Sequence, residues 1–207
     1  MPHVIGRQTL HLWSLCEDVI VETQDGEELV LTGRFGTERL PDPDPVVREA
    51  LRRMELGPVL PGNVEAATGD DSEGSVCLIL WPTLSRLSHL VVRTLGLDDL
   101  RGPLLSVSPV SRGAKFAPRE LSARRHLRLS TDVTLTLEAS GVALESPASL
   151  HRVVLHRPEA VWVVGMLAWP VTPYAASQAL PLHPEVTDGI LRYLAAAGMA
   201  APVKNGR

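Results

Sequence analysis

The sequence predicts an α+β fold, and three observations carry that prediction. From His126 onward an alternating apolar run (Leu127, Leu129, Val133, Leu135, Leu137) turns at Ser140-Gly141 and returns through Val142 to Leu144 and Leu150 to Leu155, which is strand patterning. Three prolines, Pro158, Pro173 and Pro184, then stand where first helical turns open, the one helical place where a missing N–H costs nothing. Finally, one order of strand, hairpin, strand and helices occurs twice, opened by strands containing Asp18-Val19 and Asp132-Val133. Strands followed by short helices describe a winged-helix-like module, so two such modules in tandem are expected. They span residues 1–107 and 126–207, joined by a basic linker over 108–125 that carries Arg112, Lys115, Arg119, Arg124 and Arg125.

In chain order, Leu10 to Thr23 and Leu29 to Leu40 form a first strand group around Gln24-Asp25-Gly26, a hairpin signal. The prolines of Pro41-Asp42-Pro43-Asp44-Pro45 stop the sheet and lead into a helix from Val46 to Leu56, with Asp42 and Asp44 as cap and turn residues rather than paired catalytic carboxylates. Pro61 to Ser75, rich in glycine and acid, reads as a mobile loop. Leu84, Leu87, Val91 and Leu95 recur at helical spacing, predicting a helix from about Pro82 to a stop at Gly96, and Pro103 to Val107 returns as a strand. In the second module helices are expected over Glu159 to Leu167, from Pro173, and over Glu185 to Ala197. Val186, Ile190 and Leu194 form the last helix's stripe and Gly198 its stop.

Composition narrows the function classes. With 44% hydrophobic residues in 207, the chain can bury a real core, and a net charge of −4 argues against a nucleic-acid partner. Cys16 and Cys77 are isolated and read as buried, inert thiols. No apolar run approaches the ~18 residues that span a bilayer and Met1 to Gln8 lacks a signal core, so no membrane partner and a cytoplasmic location are expected.

Catalytic signatures are absent: no glycine-rich or Walker-type phosphate loop, no HExxH, GxSxG or CxxC. His151 and His156 stand in a strand with opposed side chains, a poor chelate, and read as amphipathic surface residues; no metal is expected. Trp13, Trp81, Trp162 and Trp169 read as core or interface packing.

The run Glu145-Ser146-Pro147, Ser149 to Ala160 and Pro170-Val171-Thr172 resembles the N-terminal region of SagB-type peptide dehydrogenases, flavin enzymes that oxidise azolines to azoles in ribosomal peptide natural products. Leu12 to Val19 and Gly102 to Val107 resemble the same family's opening segment and a following strand. In that family a nitroreductase-like flavin domain follows. Here only Ala200 to Arg207 follow Gly198-Met199, so its catalytic residues are not carried over and no cofactor is expected in this chain. FMN, on this resemblance, belongs to a partner subunit.

What remains resembles RiPP recognition elements, which take a precursor leader peptide as an added strand. The expected function is therefore a non-catalytic leader-binding or scaffold subunit, with the leader peptide and a cyclodehydratase or dehydrogenase as partners and a homodimer allowed. Part of a split FMN-dependent azoline dehydrogenase is the alternative. A DNA-binding winged helix is a second one, disfavoured because Arg192 stands against Glu185 and Asp188. The peptide is expected in the second module, between strand Leu150 to Arg157, whose edge is read as free, and helix Glu185 to Ala197. Its contacts would be Arg152, Val153, Leu155, Arg157, Ile190, Arg192 and Leu194, the arginines meeting acidic leader residues. The competing role for Ile190 and Leu194 is the module's own core.

Overall fold

The computed structural model describes residues 8–24, 27–61, 63–64 and 75–203, the side chains of 75–77 excepted. It is a mixed α+β fold. Its strands are β1 (Thr9–Leu15), β2 (Ile20–Gln24), β3 (Glu28–Gly33), β4 (Gly36–Leu40), β5 (Val91–Leu97), β6 (Leu105–Pro109), β7 (Leu127–Leu129), β8 (Thr134–Glu138), β9 (Gly141–Glu145), β10 (His151–Leu155) and β11 (Ala200–Pro202). Its helices are α1 (Pro45–Leu56), α2 (Ser75–Arg86), α3 (Pro158–Met166), α4 (Pro173–Ala179) and α5 (Pro184–Ala196). Three sheets result, ordered β1-β5-β6-β10-β9-β8, β2-β3-β4 and β11-β7.

The chain forms two compact units that are discontinuous in sequence. One takes residues 11–93 and 108–115; the other takes the residues up to Leu10, 94–107 and everything from 116 on. The sequence-based division ran in order, 1–107, 108–125 and 126–207. The difference has a hydrophobic cause, because Leu95, Leu104, Leu105 and Val107 are buried in one core with Val153, Leu155 and Ile190. Nor is 108–125 free of packing. Ala114 and Phe116 are buried, and the Phe116 ring stands edge-on to Tyr193 at 5.0 Å, while Lys115, Arg119, Arg124 and Arg125 are exposed.

In the unit of residues 11–93, β2, β3 and β4 form an antiparallel meander whose first register closes at Gln24↔Glu28; the Asp25-Gly26 turn lies outside the described residues. The proline-aspartate run ends it as expected. The Asp44 carboxylate accepts from the Val46 N–H at 2.8 Å and caps α1, which buries Val47, Ala50, Leu51 and Met54 on one stripe. Of the expected loop from Pro61 to Ser75, residues 62 and 65–74 lie outside the described residues, and Pro61, Asn63 and Val64 are helical.

The helix expected from Pro82 to Leu95 is corrected. Helix α2 runs Ser75–Arg86 with Pro82 inside it, a 3-10 turn covers Ser88–Leu90, and Val91–Leu97 is strand β5. Leu84 is buried from helix α2 and Leu87 from the turn just after it, whereas Val91 and Leu95 are buried from a strand rich in β-branched residues and covered on both faces. A doubly buried strand has no alternation to set it apart from a helical stripe.

In the other unit, too, a meander is followed by helices. Strands β8, β9 and β10 pair antiparallel in the registers Leu135↔Leu144 and Val153↔Leu144. Prolines occupy the first turns of α3, α4 and α5, the Thr172 hydroxyl caps α4 by accepting from the Ala175 N–H at 3.1 Å, and Gly198 at φ 76° ends α5. Gly141, at φ 138°, is a second position that needs glycine, because a Cβ there would overlap the backbone carbonyl of Leu155 on the third strand. Gly141→Ala should therefore cost about 3 kcal/mol or more in denaturant unfolding. Asp44→Ala, which removes one cap, should cost about 1 kcal/mol.

Candidate peptide-binding site

Strand addition needs a sheet edge whose outward N–H and C=O groups are unpaired, beside side chains that can receive alternate residues of the incoming strand. Strand β10 does not offer one. It lies between β6 and β9, and just beyond it the His156 N–H donates to the Leu104 carbonyl at 2.9 Å. The free edge expected on this strand is thus corrected: its second partner comes from the distant segment 105–109.

The seven residues expected to form the groove are scattered in role. Val153, Leu155, Ile190 and Leu194 are all in the core, at most 1% exposed, so the α5 stripe packs inward. Arg152 is ion-paired to Glu145 at 2.9 Å and to Glu138, and Arg192 to Asp188 one turn earlier on α5. Arg157 is buried, its guanidinium bonded to Asp99 at 2.9 Å and Glu159 at 2.6 Å. Each of the three guanidinium groups already has an acidic partner within the chain. His151, read as a surface residue, is instead buried against Phe116 at 5.8 Å. His156 bridges the Ser106 hydroxyl at 2.8 Å and the Ser140 carbonyl at 3.0 Å. Burial pushes the Cys16 thiol up to about 11, which suits an inert role; the Cys77 side chain lies outside the described residues.

An open edge is at β8. In an antiparallel pair the backbone groups not bonded to the partner project from the opposite edge. Beyond β8 no strand follows, and among the described residues no side chain bonds its backbone. The terminal strands β1, β2 and β4 are each blocked at one point or more. Trp13 of β1 exchanges backbone bonds of 2.9 and 2.8 Å with Val59, the Val21 N–H of β2 donates to Glu55 at 3.3 Å, and the Arg86 guanidinium donates to the Arg39 carbonyl of β4 at 2.8 Å.

Side chains make the β8 edge more than an unpaired backbone. Directly opposed residues share a face, so Leu135, Leu144 and Val153 form one row and Leu137, Val142 and Leu155 the next. Leu144, Val153 and Leu155 are core residues, yet Leu135 is 49% and Leu137 85% exposed: the apolar face of the sheet runs out past its cover. The opposite face carries Thr134, Thr136 and Glu138, with Arg152 spanning Glu138 and Glu145, one cation against two carboxylates. The sequence shows the Leu135 and Leu137 alternation but not that the strand is terminal, a property of pairing between distant segments.

A second depression, of about 420 Å³, lies between α4, the start of α5 and residues 121–123, and is lined by Tyr174, Gln178, Glu185 and Asp188. Its carboxylates do not suit the acidic leader expected from sequence. Among the described residues no group of histidine, cysteine and acidic side chains is arranged to hold a metal, and no helix is long and apolar enough to cross a membrane. No family model matches the chain, and no curated protein matches it in sequence.

The Arg157 cluster yields a test of how charge is used here. Hydrogen bonds from Arg157 hold the Asp99 and Glu159 carboxyls below their usual range. Groups depressed in this way bind fewer protons folded than unfolded, so their stabilisation is full above the ordinary carboxylate range, about pH 4, and is lost as pH falls through the lowered values. Arg157→Ala, which strands two part-buried carboxylates, should cost about 3 kcal/mol at neutral pH and flatten the stability profile between about pH 2 and 5. Arg152→Ala, at a more exposed pair, should cost no more than about 1 kcal/mol.

Proposed function

We propose that the chain is a non-catalytic peptide-binding subunit that takes an extended segment of a precursor leader peptide as an added strand along β8. It presents that precursor to partner enzymes, a cyclodehydratase or dehydrogenase, in the biosynthesis of azole-containing ribosomal peptides. The observation that carries this reading is the unblocked β8 edge beside Leu135 and Leu137, which continue a buried apolar face into solvent. Main-chain bonds would supply affinity, and apolar leader residues two apart would extend the two side-chain rows. Oxidation in such a pathway is assigned to a partner subunit carrying FMN. The tandem winged-helix-like relationship belongs to the same proposal. It is supported by the recurrence of a three-stranded meander followed by helices, β2-β3-β4 before α1 and α2, and β8-β9-β10 before α3, α4 and α5.

Titration calorimetry with synthetic leader segments encoded beside candidate partner enzymes tests this reading. Leu135→Lys with Leu137→Lys should weaken binding by about tenfold or more, equivalent to about 1.4 kcal/mol, while thermal unfolding hardly moves because both side chains are exposed. Unchanged affinity in that variant, with loss of binding on changing Arg39 at the β4 edge, would place the peptide on the other unit.

A further inference from the structure

Helix α3 is apolar on nearly every side, which is unusual for a helix that reaches the surface. Its inner face buries Ala160, Val163 and Val164, while Trp162 is 45% exposed on the outer face. Gly165 and Met166 follow on the same side at helical spacing. Past the last turn the chain keeps coiling, through Ala168 N–H to Gly165 carbonyl at 3.3 Å and Trp169 N–H to Met166 carbonyl at 3.5 Å, and presents Trp169, 73% exposed. The helix's one acidic residue, Glu159, is held by Arg157, so the outer stripe from Trp162 to Trp169 is uncharged. Gly165 has no internal reason to be glycine: its φ is not positive, and a Cβ there would meet nothing within 4 Å. Gly165 lies in the last turn of the helix, exposed and with open space where a Cβ would stand, so the backbone of another surface can come close there.

We propose that this stripe is a homodimer interface in which two copies of α3 cross antiparallel about a two-fold axis between Gly165 and Met166. Symmetry then sets Gly165 opposite Met166 of the partner subunit and Trp162 opposite Trp169 of the partner subunit. Large meets small at the axis, with aromatic pairs to either side, which is the self-complementarity an isologous contact requires. A second copy suits the stripe better than a foreign partner because no charge on it would select one. The two tryptophans alone expose roughly 300 Å². That is more than a third of the ~800 Å² each side of a stable interface buries, and it is supplied by the residue type that dominates binding energy.

Sedimentation of the full chain over a dilution series tests the proposal, with far-ultraviolet circular dichroism reporting folding. The wild type should pass reversibly between monomer and dimer. Trp162→Glu should raise the dimer dissociation constant about thirtyfold or more, the loss expected at a central anchor. Gly165→Ala should raise the unfolding temperature of the dilute monomer, because alanine favours the helix, and weaken the dimer at least several-fold by separating the crossing helices. This second variant decides the matter if Trp162→Glu fails to fold. Leu137→Lys should leave association unchanged. A wild type that is monomeric at every concentration, a dimer that survives the α3 changes, or one dissolved by Leu137→Lys would overturn the proposal.

Discussion

The placement of β10 between β6 and β9 is the constraint on which the rest of its unit depends. Pairing on both sides takes Val153 and Leu155 out of water and gives α3 and α5 a surface to pack on, so the α5 stripe of Val186, Ile190 and Leu194 becomes core. The neighbouring elements are tied to it through His156, which reaches Ser106 on β6 by one ring nitrogen and the Ser140 carbonyl of the β8–β9 turn by the other. The same closeness dictates glycine at 141. Because β10 is interior, the unpaired backbone of the meander is displaced two strands outward, to β8.

Charge plays a stabilising part more than a recruiting one. Arg157 sits almost out of solvent between the part-buried Asp99 and Glu159, and burying its guanidinium is tolerated because its N–H groups are bonded to those two carboxylates. Arg152 likewise spends its guanidinium on Glu138 and Glu145. A ligand at β8 would therefore meet backbone groups and leucine side chains first, a mode in which selectivity comes from the spacing of apolar residues.

Local signals were legible in the sequence, and non-local ones were not. Pro158, Pro173, Pro184, Gly198 and the cap at Asp44 place helix ends because their effects act within a turn. The Ser140-Gly141 hairpin was readable for the same reason. Val91 to Leu95 carries no strand signal because burial on both faces erases the alternation that marks a strand. That β10 is interior is not legible locally, because it finds β6 some 45 residues earlier in the chain, a pairing no local pattern records. Phe116, in a stretch marked by its arginines, gave no periodic signal of the core position it fills.

Strand addition predicts which backbone amides a bound peptide will protect, and hydrogen–deuterium exchange of the full chain with and without a leader segment reads this directly. Slowed exchange confined to Thr134 to Glu138, with Gly36 to Leu40 unchanged, is the result expected of a peptide paired along β8. Protection at β4, or protection limited to the cleft around Tyr174 and Glu185 with β8 exchanging freely, would contradict it.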